Sequence, residues 1–147
     1  MDEMVIRETP CVKVTFFEEH KTLLISWLRG PSTKELHATY LHALQFIEAH
    51  PDVVLFCTDQ TLIGSLTREQ ETWLMQEYYP KVYHILQDDV YAAVVFSESH
   101  FNAIVMNYQA NAIAPGQHFI QFNYFTVLSE AMHWLKGINK GQSAELL

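Results

Sequence analysis

Two unbroken apolar runs, Val53–Cys57 and Val90–Phe96, restrict this chain more than any other feature of it. A strand covered on one face alternates apolar and polar residues, whereas a strand covered on both faces is apolar throughout. The two runs are therefore predicted to be central, parallel strands lying between layers of helix.

The flanking pattern supplies those helices. Val12–Phe17 alternates, with Val12, Val14 and Phe16 on one side, and Thr22–Leu28 places Leu23, Ile25 and Trp27 together. The short polar link Glu18–Lys21 makes these two strands an antiparallel hairpin. Gly30-Pro31 breaks the second strand, and Ser32 with Glu35 opens a helix through a capping box. Leu36, Tyr40, Leu44 and Ile47 form its apolar stripe, and Pro51 sets its end near His50. Thr67 and Gln70 form a second capping box ahead of Trp73, Leu74 and Tyr78, and Pro80 kinks the helix before Val82–Leu86. Ser97 or Ser99 caps a third helix with Phe101, Ile104, Val105 and Tyr108 on one face. Asn107–Gln117 is a loop, His118–Tyr124 a last strand, and Thr126 the cap of a final helix ended by Gly137. The order is β-β-α-β-α-β-α-β-α, an α/β fold with a mostly parallel sheet. Residues 12–136 form one domain, Met1–Cys11 a flexible arm and residues 137–147 a frayed tail.

Composition bears on function mainly by exclusion. A net charge of −8 repels nucleic-acid phosphates and anionic membrane surfaces. No apolar run reaches the ~20 residues of a membrane helix, and the acidic N-terminus is unlike a signal peptide, so a cytoplasmic location is expected. Cys11 and Cys57 lie in apolar, strand-like surroundings and read as reduced, inert thiols. The eight histidines are scattered; His37 and His42 fall on different faces of their helix, so no metal site is expected. Glycine-rich phosphate loops and a GxSxG elbow are absent, and no cofactor or catalytic residue is assigned.

Parallel sheets bind ligands where strands end and helices begin. That edge holds Arg29, which forms a surface salt bridge or pairs with Asp59 or an anionic ligand. Asp59 itself starts the next loop or joins such a site. Ser65 and Thr67 mark the start of the second helix. Trp73, Tyr78 and Tyr79 either pack into the core or wall a small apolar pocket near Trp27; a dimer face is a further possibility at these aromatics.

Four strings carry a family resemblance: LLISWLRGPSTKEL, VVLFCTDQTLIGSLTREQETWL, YAAVVFSESHF and FNYFTVLSEAMHWL. Their order and hydrophobicity, over about residues 12–136, resemble the SpoIIAA-like proteins, relatives of the sulfate-transporter and anti-sigma-factor-antagonist (STAS) domain, and among them a group of small bacterial proteins. The resemblance implies the SpoIIAA-like fold and a non-catalytic regulatory role in bacterial signalling, exercised on a protein partner. In anti-sigma antagonists a serine at the start of the second helix is phosphorylated within Asp-Ser-Ser-Gly. Ser65 falls at that place, in the stretch Gly64-Ser65-Leu66-Thr67. The fold is also similar to lipid-binding Sec14-type domains, which implies a small apolar ligand or lipid, held in a more modest pocket, as the alternative.

Overall fold

The computed structural model describes residues 3–101 and 120–145, with side chains as far as residue 139. The strands are β1 (Glu3–Glu8), β2 (Val12–Phe17), β3 (Thr22–Trp27), β4 (Leu55–Asp59), β5 (Val90–Val95) and β6 (Ile120–Phe125). The helices are α1 (Thr33–Ala49), α2 (Arg68–Trp73), α3 (Tyr79–Leu86) and α4 (Leu128–Glu145), with a π-helical turn, Leu74–Tyr78, joining α2 to α3. Residues 98–101 begin a further helical turn. The remainder of the expected third helix, the loop Asn107–Gln117 and the start of the last strand lie outside the described residues.

The strands form one six-stranded sheet in sequential order, β1 to β6. β1, β2 and β3 pair antiparallel, and β3 to β6 pair parallel. β4 and β5 are thus flanked by parallel neighbours on both sides, as their unbroken apolar runs require. Alternate residues of β4 serve two cores. Leu55 and Cys57 pack with Leu24, Ala93, Val95 and the α4 residues Ala131 and Leu135. Phe56 faces the other way, into the larger core built from Leu23, Ile25, Trp27 and the α1 residues Leu36, Tyr40 and Ile47. The α2–α3 rod lies on that same face, through Leu74, Tyr78 and Val82. Successive right-handed crossovers between sequential strands put α1 and the α2–α3 rod on one side, and among the described residues α4 packs on the other.

Three expectations are corrected. The segment expected as a loose arm is strand β1. Ile6 packs on the core, Thr9 Oγ1 donates to Glu35 Oε1 at 3.2 Å, and Arg7 pairs with the same carboxylate at 3.5 Å. Polar composition suits an edge strand as well as it suits a free arm, because one side of an edge faces water. The register shifts between Val5 and Arg7, a bulge that twists this edge. At the other end, Gly137 does not stop α4, which continues to Glu145. Gly137 is exposed, and a Cβ placed there meets nothing within 4 Å. It is a helical glycine on the wet face, costing about 1 kcal/mol against alanine without ending the helix. Finally, Thr126 stands one residue ahead of the α4 cap position. The first helical bonds, from the Glu130 and Ala131 amides, go to the Val127 carbonyl. No helix among the described residues is long and apolar enough to cross a membrane.

Candidate functional site

Because β3 to β6 run parallel, their carboxyl ends share one edge of the sheet, and the loops there carry most of the expected site residues. Asp59 closes an Asx turn: one carboxylate oxygen accepts the Thr61 amide at 3.0 Å and the Thr61 hydroxyl. The next residue, Gln60, is buried. Its amide donates to the Val95 carbonyl at 2.8 Å and its side chain to the Gly64 carbonyl at 3.0 Å. The loop after β4 is thereby wrapped around the Gln60 side chain. Gly64 takes a left-handed φ of 73°, and the His100 imidazole lies 3.8 Å from where a Cβ would stand. His100 Nδ1 in turn hydrogen-bonds Ser97 Oγ at 2.7 Å.

Ser65 is exposed at this edge. Thr67 does what its position predicts: its hydroxyl accepts the Gln70 amide at 3.1 Å, and the Gln70 side chain accepts the Thr67 amide at 3.0 Å. Arg29 is not brought to Asp59. Its Nε donates to the Pro10 carbonyl at 3.2 Å, and its own carbonyl accepts the Cys11 thiol at 3.4 Å, so it fastens the β3 end to the β1–β2 turn. Apolar side chains are also exposed in the loops of this edge: Leu28 after β3, Leu62 at 70% after β4, and Val127 after β6.

A second feature lies one layer deeper. Between the sheet and the α1, α2–α3 helices runs a cleft of about 460 Å³, counted with its open mouth. Tyr40 enters it from α1, Thr58 from β4, Val94 from β5, and Tyr78 and Tyr79 from the π turn and α3. An adjoining hollow of about 360 Å³ shares Tyr40, Thr58, Tyr79 and Val94 and reaches Gln60, Glu71 and Phe122. The two hollows are neighbours across these four shared residues and are described together as one groove; each is narrowed inside to room for roughly one water molecule.

The π turn explains why neighbouring tyrosines both line this groove. Pro80 has no N–H to offer the carbonyl four residues before it and its ring crowds that carbonyl. The chain answers by widening: the Tyr79 amide reaches back five residues to the Leu74 carbonyl. Tyr78 then meets Tyr40 edge-on at 4.7 Å, and Tyr79 meets Phe122 at 5.8 Å. Burial pushes the Tyr40 hydroxyl up to about 12, partly offset by hydrogen bonding toward Thr58. Burial raises Tyr78 as well, and the nearby Tyr40 adds to it.

Of the aromatic residues expected around a pocket, Tyr78 and Tyr79 line it. Trp27 sits behind Tyr40, with ring centroids 6.3 Å apart. Trp73 is half-buried and stacks on His37 of α1 at 4.0 Å, clamping the rod to α1 rather than facing the groove. Tyr40, Glu71 and Phe122 escaped the sequence reading; the one local signal was Tyr78-Tyr79-Pro80, a proline where a helix has to widen. Cys57 is buried and its thiol is pushed up to about 12, by burial and then by the Asp59 charge, which leaves it unreactive. Among the described residues no group of three or more His, Cys, Asp or Glu side chains is arranged to hold a metal ion. Comparison with protein-family models, with curated proteins and with solved structures gave no match. Fold and site together define the class: a mixed-sheet α/β domain with a capped, partly apolar carboxyl edge and a tyrosine-lined interior groove.

Proposed function

We propose that this protein is a non-catalytic binding module of a regulatory kind, contacting a protein partner through the carboxyl edge of its sheet. The observation that carries this reading is the make-up of that edge. Leu28, Leu62 and Val127 are exposed there beside polar groups, Asp59, Thr67, Ser97 and His100, that hydrogen-bond within their own loops. Such groups shape a surface, and exposed apolar side chains inside a polar rim are what a partner covers. The STAS resemblance supports the regulatory role, and Ser65, the residue it singles out, is exposed at the same edge. Leu62→Asp and Val127→Asp put charges on this surface without touching the core. A partner captured by the native protein is expected to be lost with both variants and retained by Leu41→Asp, a change of an exposed residue on α1. Equal capture by all of them would refute the reading.

The groove supports a second reading, that of a carrier for a small apolar ligand. It is lined by apolar side chains and a few hydroxyls, the usual make-up of a small-molecule site.

A further inference from the structure

Gln60 has one polar atom left over from its bonds to the protein. Its amide donates to the Val95 carbonyl at 2.8 Å, and its carbonyl accepts the Ile63 and Gly64 amides at 3.2 Å each. Its side-chain nitrogen donates to the Gly64 carbonyl at 3.0 Å. That last bond fixes which way the side-chain amide is turned, since only the NH2 end has protons to give a carbonyl. The remaining atom is Oε1, and among the described residues no donor meets it. The residue is only 3% exposed, so this oxygen is turned inward. Gln60 lines the smaller hollow of the groove together with Tyr40 and Thr58. Those two hydroxyls hydrogen-bond one another. One bond uses one of their two protons and leaves the other to give.

We propose that this hollow is the site of one structural water, which donates to Gln60 Oε1 and accepts from the Tyr40–Thr58 hydroxyl pair. The hollow has room for roughly one water molecule, so a water there lies against the groups that line it. It gains two polar partners, and a buried water takes about two to four. Leaving a buried amide oxygen without a donor costs more, as a rule, than immobilising one water does. The larger cleft is lined mainly by apolar side chains, among them Leu23, Phe56, Val82, Val90 and Ala92, and gives a water less to bond. The site acts on the surface through one loop. Residues 61–64 turn around Gln60, so a water bound to its side chain holds from inside the loop that presents Leu62 and Ser65 at the carboxyl edge. That hold does not depend on what the edge binds.

A high-resolution crystal structure of the full chain tests the site without any variant. Density for one ordered water is expected within about 3.2 Å of Gln60 Oε1 and of the Tyr40 or Thr58 hydroxyl. A hollow lacking that density, or a Gln60 oxygen met by a protein donor, overturns the proposal. Amide hydrogen exchange tests the hold on the loop. The double variant Tyr40→Phe with Thr58→Val removes both hydroxyls and keeps the shapes of the side chains. In it the Ile63 and Gly64 amides are expected to exchange about fivefold faster than in the native chain, beyond any change at the slowest amides of β4. Exchange at Ile63 and Gly64 that stays at the native rate overturns the proposal. So does a quickening shared equally by all the sheet amides, which reports only a less stable fold.

Discussion

Gln70 carries three hydrogen bonds at the start of α2: its amide donates to Thr67, its side-chain oxygen accepts from Thr67, and its side-chain nitrogen donates to the Pro31 carbonyl at 3.0 Å. It is only 4% exposed, so each lost partner leaves a group shut away from water. Thr67→Ala removes one cap acceptor and is expected to cost about 1 kcal/mol. Gln70→Ala orphans two backbone groups and is expected to cost more, about 2–3 kcal/mol. Urea denaturation of both variants checks this. An equal cost for the two single changes would show that the Pro31 contact contributes nothing. The capping box itself is legible in the sequence, since it spans three residues. The reach to Pro31 is not, because 39 residues separate the partners and only the packing of α2 against the β3–α1 loop joins them. Arg29 and Asp59 teach the same lesson from the other side. Each sits at a strand end, as the sequence implies, and each is engaged elsewhere, Arg29 by the Pro10 carbonyl and Asp59 by Thr61, rather than by the other.

At the scale of elements, the central strands are readable because burial on both faces leaves an unbroken apolar signature, and the helices because their caps and stripes are local. An edge strand has no such signature. β1 has the composition of a loop, and what fixes it is the β2 backbone, the Ile6 contact and the joint hold of Arg7 and Thr9 on Glu35. Removing residues 1–8 tests whether that strand matters. Ile6 gives up its burial and β2, whose Val12, Val14 and Phe16 are buried, becomes the new border. The expected result is a loss of about 2 kcal/mol or more, with growth of larger species in light scattering as the bared β2 edge finds other chains. Arg7→Ala, which removes one partly exposed ion pair, is expected to cost no more than about 1 kcal/mol. A truncated chain as stable and as monodisperse as the full one would restore the arm. The π turn is a second element that local pattern hides. Pro80 announces a break, but whether the helix kinks, stops or widens depends on whether the sheet has room for the Tyr78 and Tyr79 rings.

For the molecule as a whole, the sheet order follows once the strands are known, because sequential strands joined by right-handed crossovers have few other arrangements. The interior groove does not follow, since it is bounded by Tyr40, Thr58 and Tyr78 from three separate elements. Burial on both faces of the sheet has a consequence for stability against pH. Tyr40 and Cys57 both ionise near 12 in the folded chain, against ordinary values of 10.0 and 9.0, and Tyr78 is raised in the same direction. These groups are neutral when protonated, so below the ordinary thiol value both states hold their protons and the full stability is present. Above it the unfolded chain gives up protons that the folded chain keeps, and each such group lowers stability by about 1.4 kcal/mol per pH unit. The loss is expected to begin at about pH 9 with Cys57, to steepen at about pH 10 as the tyrosines join, and to continue until the folded-state values are reached. Urea midpoints measured across that range for the native chain, Cys57→Ala and Tyr40→Phe apportion it. The first variant is expected to remove the early part of the decline and the second to make the later part shallower, by totals of about 4 and about 3 kcal/mol respectively. A native chain whose midpoint stays level through about pH 11 would mean that water reaches these side chains in the folded state. The helices that cover them, α1 and the α2–α3 rod over Tyr40 and Tyr78 and α4 over Cys57, would then stand away from the sheet.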